Sequence, residues 1–376
     1  MPGFEWIDDQ ERAAAQSVFD EGGVLFAHGF ENMRSRFHVR EFEAACEEKF
    51  DSRECLAVSS GTAALKIGLR ALGVRQGDEV ITQAFNFIAT IEAILDCGAK
   101  PIIADIDDTL NIDPDDLERR ITANTKVILP VHMLGVPARM TEVLAVSHNR
   151  GLPVLEDNCE SIGARYKGKM LGTLGDVGAM SFDHGKMITT GEGGLVLSNN
   201  EVTSRFCREY HDHGHENNPE LPRGRDTRSI YGFNYRMTEL QGAIGKIQLS
   251  KLDKMLLENK KRYSALQAGL QEKFRLRKIP EAGEPTCDTL ILIESDKKLR
   301  EKIVELLREN AFGTKNLPDA MQWHCAAYWD HALEMEEVVR SQSAADRLSS
   351  AIAIPIWLRK SVSDYEELGS LLGSLK

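Results

Sequence analysis

An α/β fold, a mixed but mostly parallel sheet sandwiched by helices, is predicted by three features of the chain. Between residues 55 and 200, short runs that are apolar almost throughout alternate with helix-like stretches. Such runs suit strands covered on both faces, the usual condition of a parallel sheet. Downstream, a long charged helical pattern leads into a second, shorter group of strands and helices. The 376 residues have room for two units. We expect a large α/β domain over 1–245, then a connecting helix and a small C-terminal α+β domain over 246–376.

In chain order, the strand candidates are DEVITQAF, KPIIADI, TKVILPVHM, LPVLEDN, VGAMSFD and GLVLSNN. Between them GTAALKIGLRAL, IATIEAILDCG, DPDDLERRI and RMTEVLAVSHNR read as helices. The link between the last two strands is too short for a crossover helix, so they should form one antiparallel pair at an edge. From Arg236 to Phe274 the pattern predicts one long helix, kinked near Gly245. DTLILIES, KLREKIVELLREN and SAIAIPIWL then build the small domain. The polar stretch from Tyr210 to Asn234 is long for a loop, and such loops tend to be functional or disordered.

Composition excludes several function classes. Hydrophobic residues make up 42% and charged residues 28%, as in ordinary soluble proteins. No apolar run approaches a membrane span, and the acidic start MPGFEWIDDQERAAAQ lacks a secretory pattern. A cytoplasmic protein with no membrane partner is expected. The net charge of −12 argues against nucleic-acid binding. Seven scattered cysteines, without a CxxC, read as reduced thiols. His211, His213 and His215 would share one face of an extended strand, but nothing nearby completes a tetrahedral set, so no metal is expected.

In an open α/β sheet, ligands sit beyond the carboxyl ends of the strands. Four strand ends carry candidate chemistry. Ser59-Ser60-Gly61-Thr62 joins a strand to a helix, either as a plain serine cap or as a helix start whose free amides face an anion. Phe85 and Phe87 alternate after a strand, and either could be core or a stacking platform. Asp157 ends an apolar strand, either to cap the next helix or to pair with a buried cation. Lys186 follows Ser181 by five residues and precedes Gly191-Glu192-Gly193-Gly194, as a solvated lysine or as one that forms a Schiff base. Taken together, in this order, they describe the needs of pyridoxal phosphate: an amine, a carboxylate, an aromatic face and phosphate donors.

SSGTAAL, FNFIAT, LEDNCESIGARYKGKMLGTLGDVGAMSF, KMITTGEGG and GFNYRMTELQGAIG follow one another in this chain. In these motifs it resembles the DegT/DnrJ/EryC1/StrS sugar aminotransferases, which are pyridoxal-phosphate enzymes of fold type I. The resemblance implies that Lys186 binds the cofactor covalently and later moves the proton, and that Asp157 pairs with the ring nitrogen. It implies that Phe87 stacks on the ring and that Gly61, Thr62 and Ser181 hold the phosphate. Asn234 would reach the phosphate of a neighbouring subunit, making a homodimer with shared sites. Glu160 stands near the cofactor where the family more often has Gln or His. Relatives that are dehydratases replace the lysine with histidine, so Lys186 favours transamination over dehydration or idle sensing.

The implied function transfers an amino group from an amino acid, glutamate by likeness, to a keto- or aldehydo-sugar. MPGFE, HGFENMRSRFHVREFE and HDHGHENN look closest to a subgroup aminating an 8-oxo-3,8-dideoxy-manno-octulosonate, a sugar acid of lipopolysaccharide biosynthesis. A nucleotide-linked keto-hexose is the nearer alternative. Arg223, Arg225 and Arg228 in the long loop would attract an anionic sugar.

Overall fold

Seven strands form the central sheet of the protein, whose computed structural model describes residues 3–218, 220–270 and 272–376. Met1 and Pro2 of the MPGFE opening, and Pro219 of the long loop, lie outside the described residues. The first part of the chain runs α1 (Asp9–Asp20), α2 (His38–Phe50), β1 (Glu54–Val58), α3 (Gly61–Ala71), β2 (Glu79–Gln83), α4 (Ile88–Asp96) and β3 (Lys100–Ala104). It continues through α5 (Pro114–Arg120), β4 (Thr125–Ile128), α6 (Met140–Arg150), β5 (Leu155–Asp157), the hairpin β6 (Arg165–Tyr166) and β7 (Lys169–Met170), β8 (Val177–Ser181), β9 (Gly194–Ser198) and α7 (Glu201–Tyr210).

The sheet order is β1-β9-β8-β5 and then β4-β2-β3, the two halves being joined by parallel bridges Ile128–Val154 and Val131–Asp157. β5 with β8, and β2 with β3 and β4, pair in parallel. β8 and β9 are antiparallel, as their short link requires, but the pair is not at an edge. β1 also pairs antiparallel to β9 and takes the outer place, so β9 lies second from the edge. Alternation along the strands sends Leu56, Val58 and Val196 to a core shared with α3 and α4. Ala57, Leu195 and Leu197 face the other way, toward Phe42 of α2 and Leu249 of the long helix.

That helix, α8 (Glu239–Leu270), runs unbroken through Gly245. The kink expected there is replaced by a contact: a Cβ on Gly245 would lie 2.9 Å from the Phe42 ring, so the glycine lets α2 approach. Beyond it lie β10 (Arg275–Leu276), β11 (Gly283–Glu284), β12 (Thr289–Ile293), α9 (Lys297–Glu309), α10 (Met321–His324), α11 (Met335–Arg340), α12 (Gln342–Leu348), β13 (Ala351–Pro355) and α13 (Val362–Gly373). β10, β12 and β13 form an antiparallel sheet with its own core against α8, α9 and α13. Leu317, Cys325, Trp329 and Leu348 nevertheless pack into the first core.

The segment Gly3–Trp6 crosses behind the lysine loop. The Gly3 amide donates to the Lys186 carbonyl at 3.3 Å, and Phe4 stacks on His184 with ring centroids 4.9 Å apart. The Glu5 carboxylate accepts from the Leu358 amide at 2.8 Å. Among the described residues, no helix is long and apolar enough to cross a membrane.

Candidate active site

A cavity of about 370 Å3 opens at the carboxyl ends of β1, β5 and β8. Gly61, Thr62, Phe87, Asp157, Glu160, Ser181 and Lys186 all line it. The chain enters α3 through Ser60, whose hydroxyl accepts from the Ala63 amide at 3.1 Å. The plain cap and the helix start aimed into the cavity therefore coexist, because a helix's first amides have no partner within the helix. Gly61 sits where a Cβ would lie 2.7 Å from the Ser181 Cβ, which brings the helix start against the end of β8.

Asp157 is buried, its main chain held between Pro130 and His132. One of its oxygens accepts from the Thr90 hydroxyl at 2.8 Å and the other from the Cys159 amide at 3.0 Å. Its neighbour Glu156 points to the opposite face and is fully buried. There it accepts from the amides of Gly172, Leu174 and Gly175 and lies 3.1 Å from His132 Nε2. That network fixes the strand end from below. The two phenylalanines separate: Phe85 is fully buried core, while Phe87 lines the cavity and is 42% exposed.

Lys186 is not a solvated turn residue. Its Nζ lies 3.0 Å from Glu160 Oε1, with the side chains 14% and 7% exposed. Burial works to raise the Glu160 carboxyl, but the charges of Lys186, Lys315 and His324 and the lysine's hydrogen bond outweigh it, holding the group at about 2. Burial likewise works to lower Lys186, yet the Glu160 charge prevails and holds the ammonium above its ordinary range. Glu160 Oε2 is buried and has no hydrogen-bond partner among the described residues.

Four further lining residues carry no signal that the sequence reading used. Thr90 and Asn86 lie in FNFIAT itself, and the Asn86 side chain accepts from the Phe87 amide at 2.7 Å. Asn316 and His324 come from the C-terminal part. His324 is delivered by a strand-like stitch in which its carbonyl accepts from the Asn86 amide at 3.0 Å and Phe85 bridges Cys325.

Asn234 is exposed and does not line the cavity of its own chain. The histidine stretch is not an extended strand: His211 ends α7 and His213 has φ of 55°. Among the described residues, no group of three or more His, Cys, Asp or Glu is arranged to hold a metal. Arg223 is committed to Asp212 at 2.5 Å, beside Arg236 at 2.6 Å. Arg225 and Arg228 are exposed.

The donor set fits a flat aldehyde cofactor that carries a phosphate. It offers an amine, a buried carboxylate, an aromatic ring on the wall and a helix start packed against a strand end. Fold and cavity together define a pyridoxal-phosphate-dependent enzyme of the aminotransferase class. The chain belongs to the DegT/DnrJ/EryC1/StrS aminotransferase family, whose model matches residues 30–368. It is 29% identical to the GDP-perosamine synthase of Vibrio cholerae over 355 residues, 93% of this chain and 92% of that protein. It is 40% identical to the GDP-perosamine synthase of Caulobacter vibrioides over 222 residues, 59% of this chain and 58% of that relative's length. Among solved structures, it resembles 3-amino-5-hydroxybenzoic acid synthase, with a TM-score of 0.84, 26% identity and coverage of 98% and 96% of the two chains. An aminotransferase from Psychrobacter cryohalolentis superposes with a TM-score of 0.82 at 26% identity, covering 96% of each chain.

Proposed function

We propose that this protein moves an amino group from an amino acid, glutamate in our reading, to the carbonyl of a sugar. The observation that carries this is the convergence of Lys186 and Asp157 in one cavity with the start of α3. Pyridoxal phosphate, when bound, supplies an electrophilic carbon and an electron sink. Lys186 would hold it and, once released, would move a proton. Asp157, fixed by Thr90 and Cys159, would keep a ring nitrogen protonated through its charge. Phe87 would face the ring, and Gly61, Thr62 and Ser181 would bind the phosphate. The exposed Asn234 serves the phosphate of a partner subunit, so the active unit is a homodimer.

For the sugar we propose the 8-oxo octulosonate, on the likeness of the HGFENMRSRFHVREFE and HDHGHENN stretches. Arg225 and Arg228, exposed and outside the Asp212 cluster, are the cations left to meet its carboxylate. The names of the GDP-perosamine synthases favour the second reading, a nucleotide-linked keto-hexose. Two measurements test these proposals. Glutamate should bleach the visible band of the loaded enzyme, and a band that does not respond overturns the transaminase reading. A screen of both sugar classes should then find turnover on the octulosonate. Turnover confined to nucleotide-linked sugars overturns the substrate while leaving the reaction.

A further inference from the structure

We propose that Glu160 governs the availability of Lys186, holding its ammonium while the lysine is unattached and so setting the pH at which the free amine appears. Glu160 is in this sense a positioning residue for a proton, and the proposal rests on Lys186 being the attachment point.

The geometry carries the argument. Glu160 Oε1 and Lys186 Nζ are 3.0 Å apart in a wall from which water is largely shut out. The Glu160 main chain is pinned, its carbonyl accepting from the Gly135 amide at 3.1 Å. Its second oxygen, Oε2, is buried without a partner among the described residues. The Lys186 ammonium is thus the hydrogen-bond partner of this carboxylate among the described residues.

The step balances with solvent. A Lys186 N–H bond breaks, its electron pair stays on nitrogen, and the proton passes to water. The neutral amine can then add to an aldehyde carbon, whose oxygen leaves as water with the two remaining amine hydrogens. The ammonium is held because the two charges support each other. Glu160 is faced by Lys186 and Cys159 from the loops beside it, by Lys315 and His324 from the segment around α10, and by Arg277 after β10. Lys186 is the strongest of the opposing charges; once it is neutral, burial favours the protonated carboxyl.

The test follows attachment directly. Cofactor-free protein would be mixed with pyridoxal phosphate, trapped with borohydride at intervals, and the pyridoxyl adduct on Lys186 quantified by peptide mass across pH. Wild type, Glu160→Gln and Glu160→Asp would be compared. Without the anion, the buried lysine gives up its proton more readily. The midpoint of the rate against pH in Glu160→Gln should therefore fall by about one unit or more. Glu160→Asp keeps the charge at greater distance and should shift the same way by less, which covers a Gln variant that does not fold. Midpoints that coincide with wild type while the adduct sits on Lys186 overturn the inference. An adduct on another lysine in wild type overturns the attachment reading, and this proposal with it.

Discussion

At the scale of single residues, the cavity is a set of charges placed by strand ends. Asp157 is the sharpest case, since its shape and its charge can be separated. Asp157→Asn keeps the hydrogen bond from Thr90 but loses the anion, and turnover should fall at least tenfold, about 1.4 kcal/mol. Near-normal kcat in a purified, loaded variant would remove the ion pair from the mechanism. That Asp157, Ser181, Gly61 and Thr62 line one cavity was legible because each ends a strand or lies in the first turn of a helix, and Lys186 sits in the short loop just after Ser181. Phe85 and Phe87 illustrate the limit. Alternation puts residues two apart on one face, but β2 has already ended and the chain turns into α4 at Phe87, so only the packed structure separates core from cavity. His324 was illegible because its place depends on a bridge to Phe85 from more than two hundred residues away.

At the scale of elements, close approach explains where glycine stands. The start of α3 touches the end of β8 through Gly61, and Gly61→Ala would press a methyl group 2.7 Å from Ser181 Cβ. We expect a loss of about 1–3 kcal/mol in stability, together with faster loss of cofactor, read from melting curves and from the decay of the visible band on dilution. Unchanged retention would mean that this helix start does not bind the phosphate. The contact between His28, from the α1–α2 connection, and His211, at the end of α7, with ring centroids 5.7 Å apart, yields a pH prediction. Burial lowers His28 to about 3 and His211 to about 4, from 6.5. The unfolded chain takes up these protons below 6.5 while the folded chain refuses them until about 4. The stabilisation is thus complete above that upper value and is lost as pH falls through the window. Melting temperature should decline from pH 7.5 to pH 5, at ~0.1 M salt, and His28→Asn should flatten the decline. Equal slopes would show that His28 does not titrate there. The sheet order also belongs to this scale. The β8–β9 reversal was readable from a short link, whereas the insertion of β9 beside β1 depends on a strand encoded far upstream.

At the scale of the whole molecule, we propose that the boundary between the two units falls inside α8, near residues 245 and 246. Residues 317–348 then return to the first core, which is how Asn316 and His324 reach the cavity. That return leaves no compositional trace, because its apolar residues look like those of any small domain. The proposed dimer is testable by complementation. Lys186→Ala and Asn234→Ala protomers, each inactive, should regain activity when mixed and allowed to exchange. A mixed dimer would then rebuild one site with both residues intact. Confirmed exchange with no recovery would assign Asn234 to its own chain's chemistry.

The segment at Gly3–Trp6 bears on the order in which this protein folds. It lies against the lysine loop at residues 184–186, and its Glu5 is secured by amides at Leu358 and Arg359. The segment thus finds its partners only when chain 353 and 354 positions further along is in place. Contacts of such sequence separation slow folding. The back of Lys186 is a closure that waits on the far end of the fold, and loss of the Glu5 carboxylate would loosen it.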